Sequence, residues 1–199
     1  MEAPRRPRGS KNHRMPGTTN ELSLRIYPDP VLRRKAAPVK EIGPETLKLA
    51  ERMLEIMRDD RGIGLAAPQA GLSIRMFVVD VPPEEDGAEP ATGTVSTTNG
   101  PMVFINPRLE FEGPPEKSEE GCLSLPDIRG EVLRPPVVAV RALDERGNEF
   151  TLRASGLLAR CIQHETDHLD GVLIIDKMTM PSRVKNRLKI KRLESRVER

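Results

Sequence analysis

His164-Glu165-Thr166-Asp167-His168 sets two imidazoles at positions i and i+4, one above the other on a helix face, where they can share one cation. Glu165, one residue along, can reach a water on that cation and move its protons. Catalytic sites of this kind take three protein ligands and keep a further position open for water. Two histidines packed in a core are the plain alternative. Yet the chain holds only three histidines, and the other, His13, stands in a polar N-terminal stretch with little to pack against. The spacing therefore predicts one divalent ion held by His164 and His168.

The third ligand must come from Cys122, Cys161 or an acid. Cys161 shares the predicted helix, but residues 161 and 168 lie two turns apart, about 10 Å along the axis. Both could reach one ion only fully stretched, so Cys161 reads as a small core hydrophobe. Cys122 stands in Glu120-Gly121-Cys122-Leu123-Ser124, after a glycine that lets the backbone approach a neighbour closely, and can act as a thiolate. Read alone it is as readily a core thiol; beside two histidines short of a partner it is the better ligand. Thiolate with imidazole suits zinc on grounds of softness. Gln69 ends the loop Gly62-Ile63-Gly64-Leu65-Ala66-Ala67-Pro68-Gln69 and offers a carboxamide N–H to the oxyanion that develops when water attacks a carbonyl. Taken singly, it is more readily an exposed turn residue.

The elements that must position these groups follow from periodicity. A helix is expected over 44–58, with Pro44 at its first position and Leu47, Ala50, Met53, Leu54 and Met57 on one face. Strands are expected over 74–81, 103–105, 108–111, 137–143 and 150–153, the last two joined by a turn at Arg146-Gly147-Asn148. The Pro-, Gly-, Thr- and acid-rich stretch 82–101 reads as an exposed insertion. The histidine-bearing helix is expected over 155–169, capped by Ser155 and followed by Gly171. A last helix over 182–197 would face Val184, Leu188 and Leu193 or Val197 inward. The architecture predicted is α+β: mostly antiparallel strands packed around a central metal-binding helix, with a C-terminal helix.

A chain of 199 residues can bury one core without disulfide support, and two cysteines make no disulfide framework. No run approaches the ~18 apolar residues of a membrane span, and the N-terminus lacks an apolar signal stretch. A cytoplasmic protein with no membrane contact is expected. The net charge of +2 hides an uneven distribution: five Lys/Arg against one Glu in 1–20, eight against two acids in 181–199, and 19 against 27 acids in 21–180. Residues 1–20 read as a disordered basic extension, 21–180 as a catalytic domain, and 181–199 as a basic helix suited to a polyanion.

Taken together and in order, the Gln69, Cys122 and His164–His168 segments resemble the three signature motifs of the peptide deformylases. The likeness extends to Tyr27-Pro28-Asp29-Pro30-Val31-Leu32-Arg33 and to Arg129, covering roughly residues 22–180. It implies removal of the N-terminal formyl group from nascent formylmethionine polypeptides. It also implies that Cys122, His164 and His168 bind the ion, commonly Fe2+ in this family, with Zn2+ or Ni2+ as alternatives. Glu165 would be the general base and acid, and the Gln69 side chain with the Leu123 backbone N–H would polarise the formyl oxygen. Ile63, Gly64, Leu157 and Cys161 would neighbour the methionine side chain. Arg160 and Ser118 depart from the aliphatic residues common around that pocket; an arginine there would lay its stem on apolar surface and send its charge to water. The basic C-terminal helix would be a contact for the ribosome, from which such a substrate emerges. Two rivals are a peptidase sharing the His-Glu-x-x-His signature and a closed metal site that only stabilises a binding module.

Overall fold

The computed structural model describes residues 22–83 and 90–195, so the basic stretch 1–20 and Val197 lie outside the described residues. Helix α1 (Pro44–Asp59) starts as predicted, with Pro44 at its first position and the Gly43 N–H donating to the Thr46 hydroxyl. Its buried stripe is Leu49, Ala50, Met53, Ile56 and Met57. Leu47, expected among them, is exposed, because it lies roughly 120° round the helix from the centre of that stripe.

The strands are β1 (Gly64–Ala66), β2 (Met76–Val79), β3 (Met102–Glu112), β4 (Glu116–Gly121), β5 (Arg129–Arg134), β6 (Val137–Leu143) and β7 (Glu149–Ser155). Five form an antiparallel sheet in the order β1-β2-β3-β6-β7, and β4 pairs with β5 in a separate antiparallel ribbon. Period two sends Met76 and Val78 to one face of β2 and Phe77 and Val79 to the other. The first pair packs with α1, the second with helix α2 (Gly156–Leu169) through Leu158, Ala159 and Ile162. A helix on each face is why the strand reads as an unbroken apolar run instead of an alternation.

The two strand fragments expected at 103–105 and 108–111 are one strand across a bulge, where the register with β6 shifts between Ile105 and Arg108. Asn106 takes a left-handed φ of 51° there, and its side chain both accepts from and donates to the Val39 backbone. Pro107 fits the bulge because it has no N–H to leave unpaired. The described parts of the insertion, 82–83 and 90–101, bury no residue yet are tied down. Val95 pairs with the β7 edge through Arg153 and Ser155, and Thr98 pairs with Val81. Ser155 holds the cap position of α2, but its hydroxyl accepts from Thr94 and from the Ala91 N–H, not from the helix.

The ribbon β4-β5 was not foreseen. Behind it lie the short α3 (Ile174–Lys177) and α4 (Met180–Glu194), with Ile128, Val132, Ile174, Met178 and Leu193 in a third apolar cluster. Leu193 faces in as predicted. Val184 and Leu188 do not: they are 68% and 70% exposed, because the inward face of α4 carries Ser182 and Asn186, which bond the free edge of β5.

Candidate metal centre

The apolar stripe of α2 locks the helix onto the sheet, and this sets His164 and His168 on the face beyond it. Their rings stand 4.9 Å apart at 70°, with the two Nε2 atoms 3.2 Å apart. Cys122 arrives from the opposite side, immediately after β4, and its Sγ lies 3.2 Å from His168 Nε2. One donor atom from each of these residues lies within 4.8 Å of the others. Tetrahedral donors at zinc-type bond lengths would stand about 3.3 Å apart (N to N) and 3.6 Å apart (N to S), so the spacing fits one cation. Glu165 Oε2 and His168 Nδ1 are buried without a hydrogen-bond partner among the described residues.

An acidic relay orients the first imidazole. His164 Nδ1 stands 3.1 Å from Glu120 Oε2, and Glu120 is gripped at both oxygens by Arg134, which also donates to Asp167 at 2.9 Å. Burial alone would raise the Glu120 pKa; the bonds from Arg134 and His164 outweigh it and hold the carboxyl at about 2. A carboxylate on the far nitrogen of a histidine sets its tautomer and turns the near nitrogen to the ion. Burial opposes charge on His164, but the Cys122 sulfur and Glu120 outweigh it and favour positive charge there. Burial, reinforced by His164, keeps His168 neutral, the form a metal needs.

Glu165 is 3% exposed. Burial pushes its pKa up to about 7, against the lowering pull of His164 and Arg134. The carboxyl packs on the backbone of β1: a Cβ at Gly64 would stand 2.5 Å from Glu165 Oε1 and 2.7 Å from Cys161 Sγ. Glycine at 64 is therefore what admits the acid. A Cβ at Gly62 would strike Leu123 at 2.7 Å, whereas at Gly121 it would meet only ordinary contacts, the nearest at 3.4 Å. The close approach expected at Gly121 occurs at Gly62 and Gly64 instead.

Gln69 is 1% exposed, which overturns the exposed-turn alternative. Its Oε1 accepts the Ala66 N–H at 2.8 Å, and its Nε2 donates to Ser124 Oγ at 3.2 Å and to Cys122 Sγ at 3.5 Å. The N-terminal segment binds both loops together, Arg25 N–H donating to the Gln69 carbonyl and Tyr27 N–H to that of Ser124. The thiol of Cys161 donates to the Ile63 carbonyl at 3.6 Å. Burial, then Glu165, raises its pKa well above the usual thiol value, so it packs as a neutral thiol.

These groups open onto one cleft of about 520 Å³, a volume suited to a small ligand. Ile63, Gly64, Gln69, Cys122, Leu123, Leu157, Cys161, His164 and Glu165 all line it, together with Arg61, Asp127, Arg129 and Arg160. Of the site residues predicted from sequence, only His168 is absent from the lining. Of the two departures noted in the sequence, Arg160 lines the cleft and Ser118 does not. Sequence reasoning missed Glu120, Arg134 and Asp167 as the relay behind His164. Glu120 and Asp167 were visible inside the Cys122 and His164–His168 segments as acids beside candidate ligands; Arg134 carried no local signal.

An α+β fold with a Cys/His/His group able to hold a metal ion, beside a buried carboxyl at the floor of a cleft, defines the class of metal-dependent hydrolases. The family model described as polypeptide deformylase matches residues 22–184. A peptide deformylase of Opitutus terrae is 45% identical over 173 residues, covering 81% of this chain and 88% of its own. One from Rhizobium meliloti is 46% identical over 155 residues, covering 77% and 82%. The crystal structure of peptide deformylase from Ehrlichia chaffeensis superposes with a TM-score of 0.80 at 34% identity, over 89% of this chain and 97% of that one. That from Thermotoga maritima gives 0.70 at 41%, over 79% and 97%. The chain belongs to the peptide deformylase family of metal-dependent amide hydrolases. The family, fold class and enzyme class expected from the sequence are borne out. No helix among the described residues is long and apolar enough to cross a membrane.

Proposed function

We propose that this cleft removes the formyl group from formylmethionine at the N-terminus of newly made polypeptides, in the cytoplasm. Cys122, His164 and His168 hold one divalent cation. Family likeness favours Fe2+, while Zn2+ and Ni2+ are alternatives that the donor set also accepts. When bound, the cation lowers the pKa of a coordinated water and polarises the formyl carbonyl. Glu165 takes the proton of the attacking water and returns it to the departing amine, a double duty that a pKa near 7 suits. The Gln69 carboxamide and the Leu123 backbone N–H hold the formyl oxygen as charge grows on it. Ile63, Gly64, Leu157 and Cys161 border the methionine side chain, and the stem of Arg160 extends that surface.

The observation that carries the reading is the convergence of one sulfur and two imidazole nitrogens within 4.8 Å, at the floor of a cleft that also holds Glu165. The test compares turnover of a formyl-Met peptide with cleavage of an unformylated, internally blocked peptide. Deformylation alone is expected, and cleavage of only the second would make the protein a peptidase. Glu165→Gln should retain the metal and lose roughly a hundredfold or more in rate; an unchanged rate would make the metal site a structural one.

The catalytic domain spans 21–180, and the basic segment 181–199 docks on the ribosome by phosphate contacts. Arg183, Lys185 and Arg187 are exposed on α4, where such contacts would weaken steeply with salt. Replacing all three by Gln should reduce co-sedimentation with ribosomes at low salt; undiminished co-sedimentation would end the docking idea.

A further inference from the structure

Strand β5 pairs with β4 on one side only, so its outer edge presents backbone groups that need partners. Helix α4 supplies them. Residues 179, 182, 186 and 189 share one helix face by their spacing, and each meets the chain between 127 and 131. The Thr179 N–H donates to the Glu131 carbonyl at 2.8 Å, and the Glu131 N–H donates to Ser182 Oγ at 2.9 Å. Asn186 Nδ2 donates to the Arg129 carbonyl at 2.8 Å and to that of Ser182 at 2.9 Å. Lys189 Nζ donates to the Asp127 carbonyl at 2.6 Å.

The last two contacts reach the cleft. Asp127, Ile128 and Arg129 form part of its lining, and Asp127 holds a left-handed φ of 62° that residues with a Cβ seldom adopt unaided. Asn186 is 2% exposed on a helix whose neighbouring positions 185 and 187 are exposed. Its two amide hydrogens are both committed to carbonyls, so an apolar replacement would leave the Arg129 carbonyl without this donor.

We propose that Asn186 and Lys189 are positioning residues for substrate binding: from α4 they fix the backbone of 127–129 and so hold one rim of the cleft in its binding geometry. Neither side chain lines the cleft, so the effect passes through the rim to substrate affinity and leaves the metal and Glu165 untouched. The inference rests on the cleft being the deformylating site.

The test is steady-state deformylation of a formyl-Met tripeptide by the metal-loaded full chain. It compares Lys189→Met, which alters an exposed residue, with Asn186→Leu, which keeps the branched heavy-atom shape and loses the donor, and with Lys40→Met, at an exposed lysine away from the cleft and from the basic segment, as a charge control. Both rim variants should raise KM by roughly three- to tenfold, with kcat within about twofold. Metal per chain should be unchanged, and amide exchange at 127–131 should quicken; Lys40→Met should match the unaltered protein. If Asn186→Leu fails to fold, Lys189→Met decides alone. An unmoved KM in the folded variants, an equal rise in Lys40→Met, or a fall in kcat with metal loss overturns the inference. If the unaltered protein fails to deformylate the peptide, the functional reading falls and takes this inference with it; normal turnover with an unmoved KM sinks the inference alone.

Discussion

Helices α2 and α4 bury opposite kinds of face. Helix α2 lays Leu158, Ala159 and Ile162 into the sheet and presents His164 and His168 from the adjoining positions. Helix α4 turns Met180, Val184 and Leu188 outward and presses Ser182 and Asn186 against β5. The difference lies in the neighbour. Where the facing surface is apolar, apolar side chains go in. Where it is an unpaired strand edge, leaving backbone N–H and C=O groups without partners costs more than exposing a few aliphatic side chains.

That contrast can be broken or sharpened by substitution. On α2, His168→Ala should strip the chain of bound metal and abolish turnover, as elemental analysis beside a deformylation assay would reveal; retained metal would mean another residue replaces it. Gly64→Ala, facing α2 from β1, should displace the Glu165 carboxyl and lower kcat by about a hundredfold, the usual penalty for misplacing a reacting group by about 1 Å. A near-normal kcat would show that the close contact relaxes harmlessly. Leu158→Ala should destabilise the fold by about 2–5 kcal/mol in urea unfolding, because the cavity opens in a closed core.

A pH dependence separates the two helices further. The Glu120 carboxyl behind α2 has its pKa lowered from 4.5 to about 2. Its stabilisation is therefore fully present above about pH 4.5 and is lost as pH falls towards 2. Unfolding measured across that window should show an acid-sensitive portion that Glu120→Gln removes, while Asn186→Leu, which touches only neutral partners, leaves it in place. The smallest effect belongs to the outer face of α4: Leu188→Ala should change stability by no more than about 0.5 kcal/mol. A loss comparable to that of Leu158→Ala would mean that this face is covered in solution.

Much of this was legible because it is local. The 3.6-residue period and the Pro44 start located α1, although Leu47 showed how an apolar residue can belong to a helix without belonging to its buried stripe. The run at 76–79 located β2, and the i, i+4 histidines placed two candidate ligands before any fold was known. Strands β4 and β5 were missed because Glu116–Gly121 and Arg129–Arg134 are mostly charged or glycine; backbone pairing with one another and with α4 makes them strands, and no side-chain pattern announces that. Asn106 and Pro107 looked like a break and proved to be a bulge, since an interrupted ladder and an ended one share the same residues.

Residue types and near-neighbour spacing by themselves pointed to the candidate donor set, set Cys161 apart from it, and located the helix that carries both histidines, because each depends on the geometry of one or two turns. The third candidate donor was a choice among several until the end of β4 brought Cys122 to the imidazoles. The relay from Arg134 through Glu120 to His164, the burial of Gln69 and the inward face of α4 were decided only by tertiary structure. Each depends on groups far apart in the chain, whose meeting is set by which surfaces and backbone edges remain to be covered once the sheet has formed.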